Sequence, residues 1–122
     1  MGLFTVTTQE YTNLPPSQVG NGSASTNYGQ TYIFTVADFT TETSPVYADP
    51  EGDGAANLRI LTLPTTGTLY FNSIAVVVNQ VISFANIALE LFTYVPDNGT
   101  TTLYNDVFQF EIADSGSGIF VS

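Results

Sequence analysis

The 122-residue chain has no cysteine, histidine, lysine or tryptophan, and its only basic side chain is Arg59. Each absence removes a class of chemistry. Without cysteine there are no disulfides, thiolate metal sites or thiol nucleophiles. Without histidine or lysine, only carboxylates and tyrosinates remain as general bases, so a hydroxyl in Ser115-Gly116-Ser117-Gly118 has no basic partner to activate it. One arginine cannot supply the basic stripe that releases counterions from phosphates, which excludes nucleic acid as a partner. An anionic membrane surface is disfavoured for the same reason. No apolar run reaches the length of a membrane span. Met1-Gly2-Leu3-Phe4 lacks the basic and apolar regions of an export signal, so a chain starting at Met1 is not expected to enter a secretory translocon. Thr5 and Val6 leave Gly2 without the hydroxyl residue that a myristoylation site needs downstream.

What is present is acidic and apolar. Eleven Asp and Glu give a formal charge of −10, while 43% of residues are hydrophobic and seven Tyr and nine Phe favour strands. The length suits one independent core. The partners this charge admits are divalent cations, neutral sugars, apolar protein surfaces or a basic protein lattice.

Along the chain, residues 3–8 read as a short edge strand. The stretch from Gln9 to Gly29 carries Pro15-Pro16 and Gly20-Asn21-Gly22 and reads as an extended arm suited to contacting a neighbour. The expected division is therefore an N-terminal strand and arm over 1–29 and a β-sandwich core over 30–122. Period-two alternation predicts a strand over Gln30–Phe39, and another over Asn57–Leu63 covered on both faces. Asn72-Ser73 and Asn79-Gln80 mark turns between short strands, and Asp97-Asn98-Gly99 marks a third. Asn86 to Glu90 could form one helical turn with Asn86 as its N-cap. Asp106–Ala113 alternates, with Phe108, Phe110 and Ile112 inward, and Gly118–Ser122 ends the chain apolar. Evenly spaced short strands indicate an all-β sandwich or barrel. Tyr11, Tyr28 and Tyr47 fall in predicted loops, where they could anchor a partner or stand as ordinary exposed tyrosines. The sequons at Asn21 and Asn98 read as turns.

Ala48-Asp49-Pro50-Glu51-Gly52-Asp53-Gly54, then Leu58-Arg59-Ile60, Leu63-Pro64, Gly67-Thr68-Leu69, Phe84, Ile87 and Phe92-Thr93-Tyr94, with the tail Asp106–Asp114, resembles the cadherin-like and chondroitin-sulfate-proteoglycan-type repeats of bacterial surface proteins. The resemblance spans roughly residues 30–118. It implies an immunoglobulin-like, cadherin-like antiparallel β-sandwich used for adhesion or as a structural spacer, often with calcium at repeat junctions. The chain departs from the pattern at three places. The family usually has Asn-Gly where Asn72-Ser73 stands, an acidic residue at Asn86 and glycine at Glu90.

Asp49, Glu51 and Asp53 alternate before Gly54, the opening spacing of a calcium loop. An EF-hand is excluded because Ile60 stands where its closing glutamate belongs. Within the resemblance, Asp106 or Asp114 would complete a site; alternatively, the run is a solvated acidic turn. No carboxylate pair is flagged by spacing as catalytic, so the chain is not expected to be an enzyme. The expected function is a structural assembly module, a virion-type subunit such as a phage capsid decoration, spike or tail protein. It would act through protein contacts as a homo-oligomer or part of a larger assembly. The alternative is a calcium-dependent adhesion or glycan-binding module of a bacterial surface protein.

Overall fold

The computed structural model describes residues 1–8, 13–99 and 103–122. Among the described residues, eight strands form two antiparallel four-stranded sheets. In chain order they are β1 (Tyr32–Ile33), β2 (Ala55–Thr62), β3 (Thr68–Phe71), β4 (Ile74–Ala75), β5 (Val81–Ser83), β6 (Phe92–Val95), β7 (Gln109–Asp114) and β8 (Phe120–Val121), with one short helix, α1 (Phe84–Ala88). One sheet has the order β1-β6-β3-β4 and the other β5-β2-β7-β8. This is the all-β sandwich expected from the alternation.

The core lies where the inward residues of the two sheets meet. Leu58, Ile60, Ile82 and Ile112 from one sheet join Leu69 and Phe92 from the other, and Phe34, Phe39, Phe84 and Ile87 fill the space between. Phe34 stacks on Phe92 at 4.5 Å between ring centres, and Phe39 meets Phe110 edge-on at 5.2 Å. Burying each large apolar side chain stabilises the fold by about 1.5–3 kcal/mol, so these residues hold the sheets together.

Three local expectations are corrected. The predicted strand Gln30–Phe39 is cut short after Ile33. Thr35 accepts a hydrogen bond from the Asp38 amide, Asp38 accepts one from the Thr35 amide, and a capping box starts a 3₁₀ turn over Val36–Phe39. The turn swings Phe39 into the core, a position that a continuing strand would not give it. The helix starts earlier than predicted: Ser83 is its N-cap, its hydroxyl accepting from the Asn86 amide at 3.1 Å, while Phe84 and Ile87 face the core. On β2, only the Leu58 and Ile60 face is buried; Leu63 is exposed, and Arg59 lies over the Phe120 ring with its guanidinium bonded to Glu111 at 2.6 Å.

The turns behave as read. Asn72 and Ser73 both have positive φ, 50° and 66°, the backbone of the tight hairpin turn that joins β3 to β4. Asn79 turns the chain at φ 69°, and Gly99 donates to the Asp97 carboxylate.

Residues 3–8 are not in a strand. Residues 13–22 run along the sandwich instead of standing away from it. Gln18 bridges Ala48, Asn21 bridges Ser44, and Pro16 and Gly20 are buried. Gly20 packs so closely on Ser44 and Pro45 that a side chain there would overlap their backbone. Tyr11 and Thr100, the latter part of the Asn98 sequon, lie outside the described residues.

Candidate metal centre

The register of β2 on β7 sets Ala55 opposite Asp114, and the Ser115 amide donates to the Gly54 carbonyl at 3.0 Å. That pairing carries the acidic loop before β2 to the end of β7. Asp49, Glu51, Asp53 and Asp114 each offer one carboxylate oxygen, and these oxygens all lie within 4.8 Å of one another. Asp49, Glu51 and Asp53 are the three residues singled out by spacing. Asp114 is the fourth, brought in by topology.

Local chemistry aims these groups. Asp49 Oδ1 accepts from the amides of Glu51 at 2.9 Å and Asp53 at 3.2 Å, curling the loop around its own side chain. Gly52 takes φ 77° inside that curl. Asp114 Oδ1 accepts from the Ser117 hydroxyl at 2.6 Å and from the amides of Ser117 at 2.7 Å and Gly118 at 3.2 Å. Ser115-Gly116-Ser117-Gly118 is thus a turn that orients a carboxylate. Asp49 and Asp114 each spend Oδ1 on donors of their own loop, which leaves Oδ2 outside those bonds. Among the described residues, neither Oδ2 has a hydrogen-bond donor, although both are buried and Asp114 is only 2% exposed. A buried, ionised oxygen without a donor is costly, and a cation between the two would remove that cost.

The arm closes the fourth side. Asn13 donates its side-chain amide to Asp53 Oδ2 at 2.8 Å, and the Leu14 amide reaches both Glu51 oxygens at 3.2 and 3.3 Å. Gly116 sits directly beneath, where a Cβ would collide with Asn13 and Asp53. The crowding of charge shifts the ionisation of the groups around it. Burial first, then the charges of Asp49 and Asp53, hold the Glu51 carboxyl above its ordinary range despite the Leu14 amide. Burial and then Asp49, Asp114 and Asp53 push the Tyr47 hydroxyl up to about 12, and that hydroxyl donates to the Asp53 carbonyl. For Asp114, burial alone would raise the pKa. Donors from its own turn, the Ser117 hydroxyl foremost, outweigh it, so the group stays below the usual carboxylate range. Such a set of hard oxygen donors could hold a metal ion.

Asp106, the other candidate for completing the site, lies elsewhere. It accepts from the amides of Thr65 at 2.9 Å, Thr66 at 3.2 Å and Gly67 at 2.7 Å, and from the Tyr94 hydroxyl at 2.8 Å. Burial opposes its ionisation, and the Gly67 amide, the Tyr94 hydroxyl and the two threonine amides more than offset that, lowering its pKa. Asp106 therefore ties the β2–β3 connection to β6. Spacing alone could not separate the two aspartates; only the strand order places one at each end of the β7 segment. Tyr28 is exposed, with its hydroxyl on the Asn98 carbonyl.

Comparison with family models, curated proteins and solved structures finds no match for this chain.

Proposed function

We propose that the chain is a calcium-binding, non-enzymatic structural module that acts through protein contacts. The observation that carries the calcium part is the pair of buried, donorless Oδ2 atoms of Asp49 and Asp114 within a four-carboxylate cluster. Oxygens on opposite sides of a calcium ion stand about 4.6–5.2 Å apart, and around magnesium only about 4.0–4.2 Å. Carboxylate oxygens that all lie within 4.8 Å of one another fit around a calcium ion. The cation would tie together the 49–53 loop, the end of β7 and, through Asn13 and Leu14, the arm, so its expected effect is mechanical stiffening of one end of the sandwich. This agrees with what the cadherin-like resemblance implies.

Of the two settings expected from the sequence, a virion-type assembly subunit and a surface adhesion module, the exposed apolar segment at residues 3–6 favours assembly, with Leu3, Phe4 and Val6 at 88, 92 and 75% exposure. Solvent-exposed apolar side chains in sequence gain by being covered. Thermal unfolding in millimolar calcium and then in excess chelator tests the calcium reading. A rise of several degrees with calcium, reversed by chelator, is expected. An unchanged melting temperature overturns it.

A further inference from the structure

We infer that calcium and the N-terminal arm bind the sandwich cooperatively: the cation closes the seat of Asn13, and the seated arm tightens the hold on the cation. The inference rests on the calcium reading and names how that site is regulated, by residues 13 and 14, which the cation in turn holds or releases.

The seat of Asn13 lies between the two segments that the cation joins. On one side its side-chain amide donates to Asp53 Oδ2 at 2.8 Å. On the other is Gly116, so close that the Asn13 amide occupies the space a Cβ would take. Asp53 belongs to the acidic loop, and Gly116 to the turn that follows Asp114. A cation held by carboxylates of both segments fixes their separation, and the same separation sets the width of the Asn13 seat. Leu14 adds a second tie, its amide 3.2 and 3.3 Å from the two Glu51 oxygens. Asp53 and Glu51 are therefore shared, each a member of the carboxylate cluster and an acceptor for the arm.

Sharing sets arm and cation either in competition or in support, and the chemistry of the carboxylate decides. An ionised carboxylate offers about four acceptor sites. Asp53 Oδ2 gives one to Asn13 and each Glu51 oxygen gives one to the Leu14 amide, so lone pairs remain for a metal. The Leu14 amide also favours ionised Glu51, against the burial and neighbouring charges that favour its protonated form. A cation acts in the same direction, because it offsets the charge of the surrounding aspartates. Without it, four carboxylates within 4.8 Å of one another repel and push apart the loop and the turn that flank Asn13.

The rest of the arm is held outside the cluster. Pro16 is buried, the amides of Ser17 and Gln18 donate to the Ala48 carbonyl at 3.0 and 3.3 Å, and Asn21 exchanges backbone bonds with Ser44. Loss of calcium therefore moves the point where the arm leaves the sandwich from Asn13 back to Pro16, about 10 Å of extended chain. Calcium thereby sets the reach of the exposed Leu3, Phe4 and Val6.

Hydrogen exchange of the full chain, followed by NMR in millimolar calcium and in excess chelator, tests the coupling. Pro15 and Pro16 carry no amide, so Leu14 alone reports on the stretch between Asn13 and Ser17. The expected result is exchange of the Leu14 amide about fivefold or more slower with calcium, and a smaller change at Ser17. Coupling between two binding events is reciprocal. Asn13→Ala, a truncation at a half-buried position, should therefore weaken calcium binding measured by calorimetry, again by about fivefold or more. Calcium that binds without slowing Leu14 overturns the inference and leaves the calcium reading in place. Wild-type affinity in Asn13→Ala does the same, and so does tighter binding, which would make the arm a competitor of the cation. A wild type that binds no calcium overturns both.

Discussion

Ala55 lies directly opposite Asp114 in the β2–β7 ladder. Because side chains alternate along a strand, a slip of one residue would turn Asp114 away from the acidic loop. The pairs Leu58 with Ile112, both buried, and Ile60 with the half-buried Phe110 hold that register. The site is thus a consequence of how the core packs.

A side chain at Gly116 should force the Asn13 and Asp53 side chains to shift. A methyl there meets Asn13 and Asp53, so Gly116→Ala is expected to displace the arm, cost about 1–3 kcal/mol and weaken calcium binding. Denaturant unfolding with a parallel calcium titration checks both effects. A variant with unchanged stability would mean that the arm is held differently.

Asp106→Asn separates the two aspartates that sequence left as equals. Removing the charged acceptor from four amides and Tyr94 should cost about 2 kcal/mol while leaving calcium affinity unchanged. A loss of affinity matching that of an Asp114 variant would place Asp106 in the metal centre.

Ser73 and Glu90 adopt φ of 66° each, a backbone that favours glycine. Both are positions where the resembled repeats carry glycine. Ser73→Gly and Glu90→Gly should each stabilise the chain by about 1 kcal/mol, read as a rise in denaturant midpoint. A fall at either position would mean that its side chain makes contacts worth more than the backbone strain.

The pH dependence has two limbs of known sign. Asp106 and Asp114 have lowered pKa values in the folded chain, so the stability they contribute is present above the ordinary aspartate value and is lost as pH falls through their folded pKa. Tyr32, raised to about 12 by burial and then by Asp38, and Tyr47, also about 12, act in the opposite sense. Their contribution is full below their ordinary value of 10.0 and is lost as pH rises toward 12. Melting temperature across pH should fall at both extremes. A profile flat from pH 8 to about 12 would contradict the tyrosine environments.

Much of the sandwich was legible because strand alternation is local. Ile112 is in the buried core with Phe108 and Phe110 packed against it, on the side read as inward, and Asn72-Ser73 turns the hairpin as read. The Gln30–Phe39 strand failed because Thr35 and Asp38 cap a helical turn, a side-chain event that competes with an otherwise clean alternation. For the site, the Asp49, Glu51 and Asp53 spacing was visible in one loop. Asp114 lies 61 residues beyond Asp53, and nothing short of the β2–β7 register selects it over Asp106. Asn13 was hidden for the same reason: its contact to Asp53 spans 40 residues through an arm with no periodic pattern.

Calorimetric titration of calcium into wild-type and Asp114→Asn protein tests most directly whether four carboxylates from two distant segments hold one cation. The account predicts about one calcium per wild-type chain and an affinity at least about tenfold weaker in the variant, which keeps the shape of the side chain and removes its charge. No binding heat in the wild type together with no shift in its melting temperature, or equal affinity in the two proteins, would contradict it.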